Sequence, residues 1–415
     1  MIFKQYQVIL ILQHPENNTV MSKRTLFLLA SLAATMLVLS SACKKEPGID
    51  EIIESIRQVH APDARENIFE IKAEWQGGMK VNISGEVDNE ALKRAIIDSL
   101  SAAGFEISEQ IDVLPVNVPW TWALVNISVA NIRATPSHRS ELVTQAILGN
   151  PVRVLKEQGS WVLVQTPDRY LGWCSKSSLE GMDVDELYKW KSSPRVIYSE
   201  IHGFINSLHG QTVSDITAGA ILVKEGSEGD LLKVRLPDGR NGTVARHMAY
   251  CLEEWSREAI PSADRIAETA MAMHGFPYLW GGTSPKGMDC SGYTRIVWFM
   301  NGMVIARDAS LQARHGNPVD LAGRQYLETG DLLFFRTNPG DADGSPVTHV
   351  AIYLGDSEYI HAAGMVTVNS LDSLRDNYSA YRASTLQSAR RTPSGSSEPG
   401  LLPVKDHPWY FNQTR

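Results

Sequence analysis

The rhythm of apolar positions changes along the chain. Thr25 to Ala42 is uncharged and apolar-rich, with Lys23-Arg24 just ahead of it. Ile49 to Val59 reads as a helix. Phe69 to Trp75 and Met79 to Val87 alternate instead, and Gln76-Gly77-Gly78 between them is a hairpin signal. Asp88 stands where a cap belongs. It precedes a helix through Ala103 with Ala91, Ile96, Ile97 and Leu100 as its apolar residues and Gly104 at its end. Ile107 to Leu114 is a last strand, so residues 44–118 predict the order α-β-β-α-β.

Residues 120–253 predict only short strands separated by frequent turns. Val129-Ala-Asn-Ile-Arg-Ala-Thr-Pro136, Gly149-Asn-Pro-Val-Arg-Val-Leu, Trp161-Val-Leu-Val and Tyr170-Leu-Gly-Trp173 follow one another. Residues 217–247 repeat the theme more faintly, with Ala218-Gly-Ala-Ile-Leu-Val, Leu231-Leu-Lys-Val-Arg-Leu and Asp238-Gly-Arg-Asn-Gly-Thr-Val. The first set resembles a bacterial SH3-like barrel, and the repetition implies two in tandem, over residues 119–180 and 181–253. Trp161 and Trp173 are expected in the barrel core.

The pattern changes again after Ala259. Ala259 to Met273 reads as an amphipathic helix. Beyond the glycine-rich Gly281-Gly282 and Gly287, the apolar run Ile296, Val297, Phe299, Met300 fits a helix that starts near Cys290. Leu332 to Phe335 is a strand with Phe334 and Phe335 in the core. His349 opens the alternating run Val350 to Leu354, Gly355-Asp356-Ser357 is a turn signal, and Glu358 to Ala362 is the returning strand. A hairpin symmetric about Gly355 sets His349 directly opposite His361.

These positions carry the candidate chemistry. A cysteine at a helix N-terminus is exposed to a dipole that lowers its pKa, and the thiolate is the reactive form. One imidazole takes the thiol proton while the other fixes its tautomer. Either residue type alone is more often structural than catalytic, so the weight lies in the combination. A zinc site built from the same residues is disfavoured, because CxxC and HxxxH spacings are absent. Neither a metal nor another cofactor is expected.

Tyr278-x-Trp-Gly-Gly, Asp289-Cys-Ser-Gly, Thr348-His-Val-Ala-Ile-Tyr-Leu-Gly and the later His361 resemble the NlpC family of papain-like cysteine peptidases, over residues 254–392. The resemblance implies hydrolysis of peptidoglycan stem peptides. Cys290 would be the nucleophile, His349 the base, His361 the third polar group and Tyr278 the motif tyrosine. The preceding barrels resemble the arrangement of the YkfC-like branch, the γ-D-glutamyl-L-diamino acid endopeptidases. That resemblance implies that Asp289 and Ser291, with Glu141 and Tyr170 from the first barrel, hold the free amine of an N-terminal L-Ala. Arg307 and Ser310 read as surface loop groups, of which the arginine suits capture of a substrate carboxylate. Two alternatives remain: an endopeptidase of intact peptidoglycan, and a non-catalytic wall-binding lipoprotein. The α-β-β-α-β segment resembles small BON-type envelope modules and carries no catalytic motif. The expected class is therefore α+β and multidomain: an αββαβ module, two SH3-like barrels, a papain-like peptidase domain and a tail over residues 393–415.

Charge and cysteine usage add the setting. The 415 residues carry a net charge of −8. Lys4, Lys23 and Arg24 against Glu16 leave the remainder after residue 42 near −10. So acidic a protein is a poor partner for nucleic acid or an anionic membrane surface. Leu39-Ser-Ser-Ala-Cys43 resembles a lipoprotein processing site, so residues 1–43 read as a signal segment, with Met21 as the true start and Cys43 lipidated. An uncleaved anchor is the alternative, since the apolar stretch is near the lower length for a membrane span. Either way the bulk of the chain is expected outside the cytoplasm, membrane-held in the cell envelope, with muropeptides as its partners. Cys174 and Cys251 are left over. They fall at the ends of different predicted modules, and two buried thiols are favoured over a disulfide.

Overall fold

The computed structural model describes residues 48–322, 324–340, 344–393 and 395–412. The segment expected to be a signal, with Met21 and Cys43, lies outside the described residues. Among those described, no helix is long and apolar enough to cross a membrane.

The first module follows the predicted order: helix Ile49–His60, strands Phe69–Gly77 and Lys80–Val87, helix Glu90–Ala102, strand Glu106–Val113. Its central strand, Lys80–Val87, pairs antiparallel with the first and parallel with the last. Val81, Ile83 and Val87 alternate inward and meet a helix face of Leu92, Ile96 and Leu100, all at most 2% exposed. The cap is one residue later than expected. Asn89 accepts from the Leu92 N–H at 2.9 Å. Asp88 faces back instead, toward the Ile68 N–H at 3.3 Å and the Asn89 amide at 2.6 Å.

Both barrels form, with one topology. The strands following Pro119 order as 179–182, 122–125, 151–158, 161–165, 171–175, 129–133, 142–147. Those following Pro194 order as 249–251, 195–198, 221–228, 231–235, 241–245, 202–206, 212–217. Matching strands are offset by 73 residues at first (122 to 195, 129 to 202) and then by 70 (151 to 221, 161 to 231, 171 to 241). The difference lies in one loop, residues 134–141 in the first barrel and 207–211 in the second. Helix Val184–Ser192, opened by a capping box from Asp183 and Glu186, links the two. Trp161 is buried as expected, whereas Trp173 is only half-buried. Cys174 is buried, Cys251 partly so, and both are free thiols.

The C-terminal domain sets helix Cys290–Met300 against a six-stranded antiparallel sheet. Tyr293, Ile296 and Val297 pack with Val350, Ile352, Ile360 and Ala362 of the sheet. The amphipathic helix expected over Ala259 to Met273 is shorter, Ala263–Met271, and a separate helix, Leu252–Glu258, precedes it. Pro261 lies between them and cannot continue a helix, and Ser262 caps the second piece. The histidine hairpin also departs from the symmetric register. Ile352 pairs with Ile360 and Tyr353 with Tyr359, with a bulge before Gly355. Asp356 and Ser357 both have positive φ, 48° and 65°, the signature of a two-residue type I′ turn. The shift is by two, so His349 and His361 keep one face but lie diagonally rather than opposite.

The C-terminal segment packs rather than trailing. Leu401–Pro403 pairs with Met303–Ile305 of the C-terminal domain. Tyr410, 1% exposed, receives Arg195 Nη1 of the second barrel on its carbonyl at 2.6 Å and donates to Asn150 Oδ1 of the first at 2.8 Å.

Candidate active site

Asp289 organises the start of the helix. It is the N-cap, accepting from the Gly292 N–H at 2.7 Å, and its other oxygen accepts from the Gly281 N–H at 3.0 Å. Two glycines of the motif have a steric reason. A Cβ on Gly292 would stand 2.0 Å from the Gly282 carbonyl oxygen. Gly281 has φ +74°, and a Cβ there would stand 2.1 Å from the Leu142 carbonyl oxygen of the first barrel.

Cys290 therefore begins the helix, as predicted, but its acidity does not follow the prediction. The thiol, 8% exposed, is pushed up to about 11. Burial is the main cause and the neighbouring Asp289 carboxylate the second, against smaller opposing effects of backbone bonds and Arg307. Desolvation of a charge outweighs the helix terminus here.

The histidines form a directional chain. His349 Nε2 lies 2.7 Å from His361 Nδ1, and His361 Nε2 lies 2.9 Å from Asn369 Oδ1. The Asn369 amide nitrogen donates to the Asn377 carbonyl at 3.0 Å, which fixes its oxygen toward His361. His361 must then carry its proton on Nε2 and accept on Nδ1. His349 carries its proton on Nε2, which leaves Nδ1 as the free base. Burial holds both rings neutral: His349 well below the usual histidine value, His361 down to about 4.

The remaining candidates converge on one groove of about 420 Å³, lined by Cys290 and His349 together with Tyr278, Asp289, Ser291, Glu141, Tyr170, Arg307 and Ser310. His361 supports it from behind. Burial raises the Tyr278 hydroxyl to about 12, so it stays protonated. Tyr170 donates to Asp308 Oδ2 at 3.0 Å. Glu141 accepts from Trp280 Nε1 at 2.7 Å, joining a loop of the first barrel to a loop of the C-terminal domain.

Arg307 needs correction. It is no surface loop group but 1% exposed, and its guanidinium already grips Asp289 at 2.6 and 3.1 Å and Ser291 Oγ at 2.9 Å. An arginine so committed orients Asp289 and Ser291 rather than reaching for a substrate carboxylate. Ser310 is likewise tied, accepting from Arg65 Nη1 at 3.0 Å.

Sequence reasoning missed Arg65, Trp280, Asp308 and Asn369. Arg65 comes from the first module and reaches Asp308 Oδ2 at 2.7 Å across 243 residues of sequence, which no local signal announces. Asn369 arrives through strand register, since Tyr359 pairs with Asn369 and His361 with Thr367 on the next strand, and no local motif marks it.

A thiol at a helix start against a histidine-bearing antiparallel sheet is the arrangement of a papain-like cysteine peptidase, here with SH3-like domains in front. The chain belongs to the NlpC/P60 family, whose pattern matches residues 275–388, and a bacterial SH3 domain matches residues 128–180. It is 30% identical over 275 residues to dipeptidyl-peptidase 6 of Lysinibacillus sphaericus, covering 64% of this chain and 97% of that one. It is 28% identical to a γ-D-glutamyl-L-lysine dipeptidyl-peptidase of Bacillus cereus, covering 67% and 86%. A crystal structure of an NlpC/P60 family protein from Bacillus cereus superimposes with a TM-score of 0.56 at 25% identity, covering 65% of this chain and 99% of that one.

Proposed function

We propose that the enzyme hydrolyses the γ-D-glutamyl–diamino acid bond of peptidoglycan stem peptides that begin with a free L-Ala, as in wall turnover or recycling. The observation that carries this reading is the groove's acidic end. Glu141, Asp289 and Asp308 line it beside Cys290; Asp289 and Asp308 are paired with Arg307 and Arg65, whereas Glu141 is in none of the ion pairs among the described residues, and its bond to Trp280 sets the first barrel across the groove. Such an end suits an ammonium group and leaves little room for a longer chain. The relatives named γ-D-glutamyl-L-lysine dipeptidyl-peptidases support the same bond.

In this mechanism Cys290 gives its proton to His349 Nδ1 as Sγ attacks the γ-carbonyl. A high thiol pKa beside a weakly basic imidazole keeps the resting pair neutral, so transfer accompanies attack. The oxyanion is met by backbone N–H groups at the helix start, that of Cys290 among them. His349 then protonates the departing amine of the diamino acid. Water, deprotonated by His349, hydrolyses the thioester and releases the dipeptide and the free thiol. His361 holds the His349 tautomer.

Purified enzyme should cleave L-Ala-γ-D-Glu-diaminopimelate and cleave the N-acetylated peptide at least about tenfold less well, since an ammonium loses charge-assisted bonds on acylation. Cys290→Ser should be inactive while still folded. Equal activity on both peptides would reject the amine end and favour intact wall as substrate.

The envelope setting is part of the proposal. Cys43 is the lipidated N-terminus of the exported protein, as the order Lys23-Arg24, apolar stretch, small residues, cysteine suggests. Mass spectrometry of the membrane fraction tests it, and a mature chain retaining Leu26 to Val38 would indicate an uncleaved anchor.

A further inference from the structure

Among the described residues, Arg382 is a cation near the groove that the mechanism leaves unused. It lies on the short helix Ala380–Thr385, half-buried, with its guanidinium 5.5 Å from the Phe335 ring centroid and 5.1 Å from that of Tyr381. Phe335 in turn packs on the His349 ring at 5.7 Å. Tyr381 donates to the Thr337 carbonyl at 2.6 Å, and Thr337 bonds Thr348, a groove-lining residue, at 3.3 Å. Arg382 is thus held beside the His349 end of the groove. The groups that suit the amine are the carboxylates of Asp289 and Glu141 with the Ser291 hydroxyl, Asp289 and Ser291 flanking Cys290.

Among the described residues its charge has no carboxylate counterpart. None of the ion pairs among the described residues includes Arg382, and the anion-forming groups that act on it are Tyr381, Tyr359, Cys290 and Tyr278. Every other arginine of the site is committed: Arg307 to Asp289, Arg65 to Asp63 and Asp308. An arginine propped on aromatic rings, partly desolvated and without a carboxylate is prepared to receive one, since its planar fork matches a carboxylate with two parallel bonds. The side of the groove identifies whose carboxylate. His349 protonates the departing amine, so the leaving group lies at the His349 end.

We propose that Arg382 forms a leaving-side subsite that recognises a carboxylate of the diamino acid. The inference rests on the cleavage reading above. Two carboxylates have the right chemistry: the α-carboxylate of a diamino acid at the end of its peptide, and the side-chain carboxylate that diaminopimelate has and lysine lacks. The first makes the enzyme prefer free tripeptides. The second makes it prefer diaminopimelate peptides.

The test uses the full chain and four peptides beginning L-Ala-γ-D-Glu. They end in L-lysine, L-lysine amide, meso-diaminopimelate, or meso-diaminopimelate amidated at its α-carboxyl. The parent enzyme should cleave at least one carboxylate-bearing peptide about tenfold or more better than lysine amide, by kcat/KM. In Arg382→Gln that ratio should collapse toward one, and Arg382→Lys should restore part of it. A preference for lysine over lysine amide assigns the α-carboxylate. A preference kept by the α-amidated diaminopimelate peptide assigns the side-chain carboxylate. A parent ratio near one on all four peptides, or a ratio unchanged in Arg382→Gln, overturns the subsite while leaving the cleavage reading intact. A parent that cleaves none of the four overturns the cleavage reading itself. Should Arg382→Gln not fold, the parent ratios and Arg382→Lys still decide.

Discussion

Asn369 determines which nitrogen of His349 is free to act as a base. Its amide is anchored by the Asn377 carbonyl, and the proton order through His361 follows from that. Asn369→Leu removes the acceptor that keeps the His361 proton on Nε2. The chain can then reverse and place a proton on His349 Nδ1. The expected loss in kcat is about 10–100-fold with little change in KM, since the wrong tautomer harms the reaction more than binding. Asn369→Asp should retain more activity, because a carboxylate enforces the same proton position. It should also move the acid limb of the rate profile upward, by stabilising a cationic ring. Unchanged profiles in both variants would make Asn369 merely structural.

The same residues set a pH expectation. Burial holds His349 below the ordinary histidine value, and the neutral ring is the active base. Activity should therefore hold as pH falls from 7 to 6, and the acid limb of kcat/KM should lie below about 6.5. His407 offers a parallel test in stability. Its ring donates to the Pro167 carbonyl at 3.0 Å and accepts from the Trp409 N–H at 3.2 Å, and burial lowers it to about 4. The unfolded chain binds this proton first, so the contribution of His407 is present above about pH 6.5 and lost as pH falls through about 4. His407→Gln should flatten the fall of the melting temperature over that window. Cys290, His349 and His361 were legible because their motifs are local. Asn369 and Arg382 were not, because strand register and tertiary packing bring them to the site.

At the level of elements, the barrels show how one loop distinguishes two copies of a topology. Residues 134–141 end at Glu141, which meets Trp280. The matching loop of the second barrel, residues 207–211, is three residues shorter, as the strand offsets show. Shortening the first loop by three residues should withdraw Glu141 from the groove. The preference for free over acetylated peptide should then fall by about tenfold, with unacetylated turnover still dependent on Cys290. A preference that survives would place the amine contact on Asp289 and Asp308 alone. The barrels were legible as alternating short strands with turn residues, and the first module as a 3.6-fold pattern between alternating ones. The histidine hairpin was legible in face but not in register. A two-residue turn at Asp356-Ser357 and a bulge replaced the symmetric turn.

Across the whole molecule, the units are joined by matching positions in the two barrels. Gly149 of the first has φ +74°, and a Cβ there would stand 1.7 Å from the Ile221 carbonyl oxygen of the second. Gly219, its counterpart, has φ +85° and would meet Phe299 of the peptidase domain at 3.1 Å. Gly149→Ala strikes backbone, which cannot swing aside. It should lower the unfolding midpoint by an amount equivalent to about 2 kcal/mol or more. Gly219→Ala meets the edge of a side-chain ring and should cost less. Thermal unfolding of the two variants checks the ranking. None of this docking was legible from sequence, because a glycine in a turn looks the same whether water or another domain faces it.

The segment Leu401–Pro403 and Tyr410 beyond it give the assembly an order in time. Synthesis delivers the chain N-terminus first, and domains fold largely as units as they emerge. Both barrels and the histidine hairpin are complete before residue 401 is made. Until it arrives, Arg195 lacks the carbonyl that receives its buried charge, Asn150 lacks the Tyr410 hydroxyl, and Met303–Ile305 has no partner strand. The folded pieces lack these contacts until the last stretch is made, which then adds its strand and its tyrosine to the junctions already formed.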